Sequence, residues 1–374
     1  MKRKVICVIG TRPEAIKMAP VVQALRREDF EVVVLSTGQH RTMLAQALSF
    51  FGIAADHDLE VMEERQTLDG ITSRVLTGVG EYLDSHSADL VLVHGDTTTT
   101  MASALASFYR HIPVGHIEAG LRSGDMARPF PEEANRIITD RLSSLWFAPT
   151  AGAAENLRRE GFSLTEENLF ITGNTVIDAL QETVEKNHPP SEPLRSFFEI
   201  PGPILLLTAH RRESWGDPLR SVCQAAGDIL EACGQIRVLV PMHKNPSVRE
   251  ILTGHFTGEE RVLLCDPLDY PDFVSAMNRS SLILSDSGGV QEEAAFLKKI
   301  VLVLRDISER PEAFETGTAL LVGTSREKIA REALRVLSDP DYRRAILTRG
   351  ENPFGDGRAS SRIADGIRNF FRNR

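Results

Sequence analysis

Cysteine is scarce in this chain, with four cysteines among 374 residues. They stand at Cys7, Cys223, Cys233 and Cys265, without the two-residue spacing that is typical of a zinc or redox pair. We therefore expect buried or inert thiols and no disulfide bonds.

Long apolar runs and an excess of positive charge are also missing. No stretch approaches the roughly 20 apolar residues of a membrane span, and the run 5–9 is too short for a signal-peptide core. The 43 lysines and arginines are outnumbered by 52 aspartates and glutamates, which gives a net charge of -9. Such a chain repels a phosphate backbone unless its basic residues cluster on one face. We expect a cytoplasmic protein with no nucleic-acid or membrane partner.

Short β-branched runs alternate with longer amphipathic runs along the whole chain. This is the pattern of parallel strands joined by crossover helices, so the predicted fold class is α/β. Because the pattern restarts at Ile204, we expect two sheets rather than one. The predicted strands are residues 5–9, 31–36, 90–93, 114–117, 145–148, 169–172, 204–208, 236–241, 262–265, 282–285, 300–304 and 319–322.

A proline-rich segment lies between the two halves. The prolines of His188-Pro189-Pro190-Ser191-Glu192-Pro193 disfavour helix and strand, and we place the hinge nearby, after Gly173. The predicted domains are residues 1–172 and 173–357, both Rossmann-like, followed by a helix in 358–374. That helix has apolar residues at helical spacing and is expected to pack back on the first domain. Two doubly wound domains facing across a cleft would bind a ligand at the carboxyl ends of their strands.

The first strand leads into Gly10-Thr11-Arg12-Pro13-Glu14-Ala15-Ile16-Lys17. Pro13 suits the first turn of a helix, and the amides there, aided by Arg12 and Lys17, could bind a diphosphate. An ordinary strand-to-helix turn with solvated charges is the alternative. Neither the dinucleotide glycine fingerprint nor a P-loop is present, so the sequence does not support NAD binding or ATP hydrolysis.

Two later strands end in a histidine followed two residues on by a carboxylate. These are His94-Gly95-Asp96 and His116-Ile117-Glu118, and alternate residues of an extended segment share a face. Further on, the prolines of Pro129-Phe130-Pro131 are expected to start a helix with Glu132 and Glu133 in its first turn. Acid/base catalysis, a divalent-metal site and, for the two glutamates, simple interaction with the helix dipole all remain open on these residues.

The second half holds a comparable pair of loops. His210 follows a strand, where an imidazole can transfer a proton, bind phosphate or merely be solvated. The segment Ser285-Asp286-Ser287-Gly288-Gly289 predicts a turn that lets the backbone approach a diphosphate closely. Glu293 could accept hydrogen bonds from a ribose, or it could simply interact favourably with the helix dipole. Arg310 is a further loop cation, or part of a surface salt bridge.

Taken in this order, nine segments resemble the non-hydrolysing UDP-N-acetylglucosamine 2-epimerases, a family with the two-domain glycosyltransferase-B architecture. The resemblance covers the chain from Val5 to about Ile363. The segments are residues 10–17, Gln39-His40-Arg41, His94-Gly95-Asp96-Thr97, Glu118-Ala119-Gly120-Leu121-Arg122, Pro131-Glu132-Glu133, Gly173-Asn174-Thr175, His210-Arg211-Arg212-Glu213, Asp286-Ser287-Gly288-Gly289 and Glu309-Arg310-Pro311-Glu312.

The resemblance implies an isomerase that inverts carbon 2 of UDP-GlcNAc reversibly, giving UDP-ManNAc for surface polysaccharides. It implies elimination of UDP, a 2-acetamidoglucal intermediate and re-addition, without metal or NAD, in a homodimer. Asp96, Glu118, Glu132 and His210 match catalytic positions. The positions that match UDP-binding residues are Arg12, Lys17, Phe273 (expected in a loop), Ser287, Gly288, Gly289, Glu293 and Arg310.

Some relatives bind a second UDP-GlcNAc as an activator, through residues that match Gln39, Arg65, Arg211 and His243. The chain departs from that pattern at Thr42 and Lys244. Three other functions remain as alternatives: a glycosyltransferase of the same architecture, a catalytically silent UDP-sugar sensor, and a hydrolysing epimerase that releases free ManNAc.

Overall fold

The computed structural model describes residues 2–38, 41–61, 66–209, 211, 215–306, 311–315, 317–350 and 352–372. The chain forms two compact units. The first unit contains Met1–Ala179 and Phe354–Arg374, and the second contains Leu180–Pro353. Helix α7 (Thr175–Lys186) carries the chain from the first unit into the second.

The first unit is built on a parallel sheet. Within its described residues the strands are β1 (Arg3–Ile9), β2 (Phe30–Ser36), β3 (His57–Asp58), β4 (Leu90–His94), β5 (Val114–Ile117), β6 (Leu145–Ala148) and β7 (Leu169–Ile171). The helices are α1 (Arg12–Arg27), α2 (Arg41–Phe50), α3 (Leu68–Ser85), α4 (Thr98–Phe108), α5 (Glu132–Leu142), α6 (Ala151–Arg159) and α16 (Ala359–Arg372). The strand order is β3-β2-β1-β4-β5-β6-β7, so the sheet is doubly wound.

The second unit repeats this arrangement. Its described strands are β8 (Ile204–Thr208), β9 (Arg237–Pro241), β10 (Val262–Cys265), β11 (Leu282–Ser285), β12 (Val301–Val303) and β13 (Ala319–Leu321), in the order β10-β9-β8-β11-β12-β13. Its helices are α8 (Leu194–Glu199), α9 (Asp217–Ala232), α10 (Pro246–Phe256), α11 (Tyr270–Arg279), α12 (Gly288–Phe296), α13 (Pro311–Glu315), α14 (Arg326–Ser338) and α15 (Pro340–Leu347). The predicted α/β class with two parallel, doubly wound sheets is confirmed.

The strand predictions agree closely with the structure. Each predicted strand is present with its ends within two residues, and β3 (His57–Asp58) is the described strand that the sequence analysis missed. Both residues of β3 are exposed, and neither is β-branched, so no buried run marked it. Within the described ranges, no helix combines the length and the apolar character needed to cross a membrane.

The boundaries between the two units differ from the predicted boundaries of 172/173 and 357/358. The chain passes into the second unit after Ala179 and returns to the first unit at Phe354. The start of α7 lies in the first unit because Asp178 accepts hydrogen bonds from the Ala359 amide at 3.1 Å and the Ser360 amide at 2.8 Å. Asn174 N–H also donates to the Phe354 carbonyl at 2.7 Å. These bonds join the start of α7 to the segment that leads into α16, whose residues Ile363 and Ile367 are fully buried.

Candidate active site

Both sheets reverse their winding direction at one point. In the first unit β1 and β4 are neighbours, and in the second unit β8 and β11 are neighbours. Crossover connections leave in opposite directions there, so the loops after these strands open a crevice at the carboxyl edge. The motifs singled out in the sequence follow these strands: 10–17 after β1, Asp96 after β4, Arg211 after β8 and Ser287 after β11.

A buried glutamate, Glu14, joins the two loops at the edge of the first sheet. Its Oε2 accepts from the amides of Gly10 at 2.7 Å and Thr11 at 2.6 Å, and its Oε1 accepts from the hydroxyls of Thr97 at 2.5 Å and Thr100 at 3.1 Å. Burial raises the pKa of Glu14, and these hydrogen bonds act in the opposite direction. The sequence analysis gave Glu14 no role, although Thr11 and Glu14 have the spacing of a helix capping box.

Glu118 is a buried carboxylate among the predicted catalytic residues. It follows β5 with a φ of 69° and is 8% exposed. Its Oε2 accepts a hydrogen bond from the Asn174 amide group at 2.8 Å and forms an ion pair with the ammonium group of Lys17. The structure therefore brings Lys17, predicted as a diphosphate cation, onto a carboxylate.

His94 also approaches Glu118. Its Nε2 is 3.7 Å from Glu118 Oε2, and this buried nitrogen has no hydrogen-bond partner among the described residues. Burial lowers the pKa of His94 to about 3, and the positive charge of Lys17 acts in the same direction, against the carboxylate of Glu118. At neutral pH the ring is uncharged.

The expectation that each strand end pairs its own histidine with its own carboxylate is wrong. His94 approaches Glu118 of the neighbouring strand, and His116 Nδ1 lies 2.6 Å from Asp140 Oδ1 on α5. The physical reason is the backbone: Gly95 has a φ of 70° and Glu118 a φ of 69°, so the chain is no longer extended between histidine and carboxylate.

Asp96 is held by the helix that carries Glu132. Its Oδ2 pairs with the guanidinium of Arg136, which also donates to Glu133 Oε2 at 2.6 Å. Asn135 donates to the Asp96 carbonyl at 2.9 Å. Arg136 is 3% exposed and was not recognised from the sequence, although Glu133 and Arg136 are spaced i,i+3, as paired charges on one helix face often are.

Glu132 is the first residue of α5 and is half-buried. The prediction that the prolines start this helix is confirmed, since Pro131 occupies the N-cap position. Its neighbour Glu133 is 1% exposed and accepts from the amides of Ser123 at 2.9 Å and Gly124 at 3.3 Å. Glu133 thus holds a loop in place, whereas Glu132 lies at the helix end.

The cradle predicted in the second unit lies at the start of α12. Ser287 is the N-cap residue, and its side chain makes no capping hydrogen bond. The buried Asp286 accepts from the Arg211 amide at 3.0 Å and so connects the loop after β8 to the loop after β11. Gly288 and Gly289 are the first two residues of the helix, where amides have no intrahelical acceptor.

Glu293 lies on the same helix, one turn further on. It is 5% exposed, and its Oε1 accepts from the Tyr270 hydroxyl at 2.9 Å. Burial and the nearby carboxylate raise the pKa of Tyr270 well above its ordinary value, so the phenol keeps its proton. Phe273 was expected in a loop, but it lies on α11 because Asp269 caps that helix and Pro271 stands in its first turn.

The whole chain is similar to known proteins of one family. The family model for UDP-N-acetylglucosamine 2-epimerase matches residues 23–368. The chain is 48% identical over 374 residues to UDP-N-acetylglucosamine 2-epimerase of Escherichia coli K12, and the alignment covers 98% of each chain. The chain belongs to the UDP-N-acetylglucosamine 2-epimerase family. The predicted family and the predicted enzyme class, an isomerase, are confirmed.

Solved structures of relatives share the fold over almost the full length. UDP-GlcNAc 2-epimerase from Neisseria meningitidis, bound to UDP-GlcNAc, is 42% identical with a TM-score of 0.90, covering 97% of this chain and 99% of that one. MnaA of S. aureus, solved with UDP, is also 42% identical with a TM-score of 0.90, covering 99% and 97%. The predicted glycosyltransferase-B fold class is confirmed.

The predicted activator residues are placed in part. Arg211 and His243 follow the neighbouring strands β8 and β9, and the exposed His243 has its ring 6.3 Å from that of Trp215. Its Nδ1 accepts from the Asn245 amide at 3.2 Å. Gln39, Arg65, His210 and Arg310 lie outside the described residues.

The part of the chain that the structure describes contains no cluster of side chains that supports the alternative of a metal site. No group of three or more histidines, cysteines, aspartates or glutamates there could hold an ion. Three of the side chains first considered as ligands have other partners: His116 bonds to Asp140 and Gly95, Asp96 to Arg136, and Glu118 to Lys17.

Proposed function

We propose that this chain interconverts UDP-GlcNAc and UDP-ManNAc by inversion at carbon 2. The observation that carries the proposal is the buried carboxylate of Glu118, held by Lys17 and Asn174 beside the neutral His94 at the switch point of the first sheet. Membership of the UDP-N-acetylglucosamine 2-epimerase family supports it, as does the relative solved with UDP-GlcNAc bound.

The reaction has a specific chemical difficulty. The hydrogen on carbon 2 is barely acidic, because the acetamido nitrogen offers no carbonyl-type delocalisation of a carbanion. Elimination avoids this difficulty: the C2–H and C1–O bonds break, UDP leaves with the electron pair of the C1–O bond, and a 2-acetamidoglucal forms. Re-addition of UDP at carbon 1, with a proton delivered to the opposite face at carbon 2, gives the epimer.

We assign the proton transfers to Asp96, Glu118 and Glu132. A positioned acid or base typically contributes about 10²–10⁴-fold to a rate. Glu118 accepts hydrogen bonds from an ammonium and an amide group, which fix the position of its carboxylate beside His94. His210 is assigned to the diphosphate, where a donor would offset the charge of departing UDP.

We assign UDP binding to the amides at the start of α12 and to three cations. The uncapped amides after Ser287, with Gly288 and Gly289, present donors to an anion. Glu293 is proposed to accept from the ribose, and Phe273 to contact the nucleoside. Arg12, Lys17 and Arg310 are proposed to bind the diphosphate, each charged hydrogen bond contributing about 1.5–3 kcal/mol.

A second UDP-GlcNAc bound through Gln39, Arg65, Arg211 and His243 is proposed as an activator. The test is the rate of UDP-ManNAc consumption with and without a small amount of UDP-GlcNAc. A lag that UDP-GlcNAc abolishes supports activation, and full rate from the first turnover contradicts it. A homodimer is also proposed, and light scattering behind size exclusion measures its mass.

Proton NMR of the purified protein with UDP-GlcNAc alone tests the main proposal. The reaction runs in deuterated water with chelator and without NAD. UDP-ManNAc carrying deuterium at carbon 2 is the expected product. Free ManNAc with UDP would instead identify a hydrolysing epimerase, and an unchanged spectrum would favour a transferase that needs an acceptor, or a sensor.

A further inference from the structure

The three carboxylates assigned to catalysis lie on three different elements. Asp96 follows β4, Glu118 follows β5, and Glu132 begins α5. Backbone pairing extends to both turns, since the Gly95 amide donates to the Ile117 carbonyl at 2.9 Å and the Glu118 amide donates to the Phe147 carbonyl at 3.1 Å. Both residues have positive φ, so the chain turns out of the strand direction there. Catalytic groups lose much of their effect when they are about 1 Å out of place. Side chains that bond to more than one of the three elements therefore help to hold them in register.

His116 contacts all three elements from inside the unit. It lies on β5, two residues before Glu118, and is fully buried. Its Nε2 is 2.7 Å from the carbonyl oxygen of Gly95, the residue before Asp96. Its Nδ1 is 2.6 Å from Oδ1 of Asp140, on the helix that starts with Glu132. A carbonyl and a carboxylate both accept hydrogen bonds, so each ring nitrogen of His116 faces an acceptor.

Asp140 completes the network with its second oxygen. Oδ2 accepts from the Gly120 amide at 3.2 Å and pairs with Arg122 at 2.8 Å. Burial acts to raise the pKa of Asp140, but the positive charges of His116 and Arg122 outweigh it and lower the pKa below its usual range. Arg122 in turn pairs with Glu160 at 2.6 Å, so positive and negative groups alternate through the interior. A fully paired network of this kind is rigid.

We infer that His116 is a positioning residue for the reaction, which holds the loop of Asp96, the loop of Glu118 and the helix of Glu132 in one arrangement through its two ring hydrogen bonds. The inference rests on the proposed function, which assigns proton transfer to those carboxylates. His116 itself is buried below the loops and touches no substrate.

Two substitutions separate the two bonds. His116→Gln places an amide donor near the position of Nε2, so it keeps the bond to Gly95 and loses the bond to Asp140. His116→Asn places an amide donor near the position of Nδ1, so it keeps the bond to Asp140 and loses the bond to Gly95. We expect either variant to lower kcat by at least about tenfold while KM changes less than about threefold, because the proposed UDP contacts are untouched. Asp140→Asn keeps the shape, lowers kcat in the same direction and carries the test if the His116 variants do not fold.

Asp178→Asn is the matched control. Asp178 is a buried carboxylate of the same unit whose hydrogen bonds from Ala359 and Ser360 tie α7 to the start of α16. We expect it to lower the unfolding midpoint and leave kcat unchanged. His116 variants with kcat within twofold of wild type would overturn the inference. The inference would also be overturned if Asp178→Asn, compared at the same unfolding midpoint as the His116 variants, lost as much kcat as they do.

Hydrogen exchange by mass spectrometry gives a readout that does not depend on activity. His116→Asn should raise hydrogen exchange in residues 94–97, and His116→Gln should raise it at the start of α5. Asp178→Asn should instead raise hydrogen exchange around residues 354–360. If the wild-type protein shows no epimerisation, the proposed function fails, and this exchange pattern still decides the positioning role. Unchanged exchange in both segments would contradict it.

Discussion

At the residue scale, the site depends on side chains whose partners come from distant parts of the chain. Glu118 meets Lys17 and Asn174, and Asp96 meets Arg136. Each carboxylate therefore has a cation beside it that offsets its negative charge in a partly buried setting. A carboxylate so held can accept a proton from carbon 2, and once protonated it can return one.

The first prediction concerns the three carboxylates. Asp96→Asn, Glu118→Gln and Glu132→Gln should each lower kcat by at least about 100-fold, because an amide neither accepts nor delivers the proton. NMR initial rates measure the loss, and circular dichroism checks folding. Glu155→Gln, which neutralises a half-buried carboxylate on α6, is the control and should keep its rate. Near-normal turnover in one of the three would remove that residue from the mechanism.

The second prediction concerns His94 and pH. The unfolded chain takes up a proton near the ordinary value of 6.5, whereas the folded chain does so only near pH 3 because the ring is buried. Protonation thus favours unfolding, and stability is lost as the pH falls below 6.5. Relative to His94→Gln, the wild type should lose about 2 kcal/mol between pH 8 and pH 5.

Urea unfolding at both pH values measures this difference. The exposed His111 provides the control, because asparagine tolerates its positive φ and His111→Asn should keep a constant offset from wild type. Parallel stability curves for wild type and His94→Gln would show that the buried ring is not the titrating group.

At the element scale, the turn after β5 is shaped by its glycines. Gly120 has a φ of 81°, and a Cβ there would lie 2.2 Å from the carbonyl oxygen of Ala153 on α6. Gly124 has a φ of 80° and no atom within 4 Å of such a Cβ. The two glycines share a backbone conformation and differ in the space around them, so they separate backbone strain from close packing.

The third prediction follows from this pair. Gly124→Ala should lower the free energy of unfolding by about 1–2 kcal/mol through its left-handed backbone alone. Gly120→Ala should cost a further 1–3 kcal/mol or so, because the turn must move away from α6. Urea unfolding of both variants measures the difference, and equal losses would show that α6 yields to the added methyl group.

At the scale of the whole molecule, the chain leaves the first unit and returns to it at its end. Helix α16 follows 174 residues of the second unit, Leu180–Pro353, yet it packs against α1 and β7. Ile363 and Ile367 are buried there, and Arg3 lies over the Phe371 ring at 5.2 Å. The first unit is therefore completed only when the last helix is made.

The fourth prediction tests this assignment. Ile367→Ala should lower stability by about 2–5 kcal/mol and raise hydrogen exchange first in α1 and β7. Ile229→Ala, an equally buried change on α9, should instead raise exchange in the second unit. Faster exchange around α9 in Ile367→Ala would contradict the placement of α16 in the first unit.

The strands were predictable because each is a short, buried apolar run between turn residues, which is a local signal. The candidate site was predictable at the level of motifs, since the resemblance pointed to Asp96, Glu118 and Glu132. The partners of these residues were not. Nothing local to Arg136 or His116 shows that one binds Asp96 and the other Gly95 and Asp140.

The sequence by itself thus determined the α/β class, two doubly wound sheets, the family and the return of the last helix to the first unit, because hydrophobic periodicity and motif spacing are properties of neighbouring residues. Only the tertiary structure decided that His94 faces Glu118 rather than Asp96, that Lys17 pairs with a carboxylate and that Arg136 pairs with Asp96. Those outcomes depend on positive-φ turns and on contacts between residues 24 or more positions apart, which the order of residues along the chain does not encode locally.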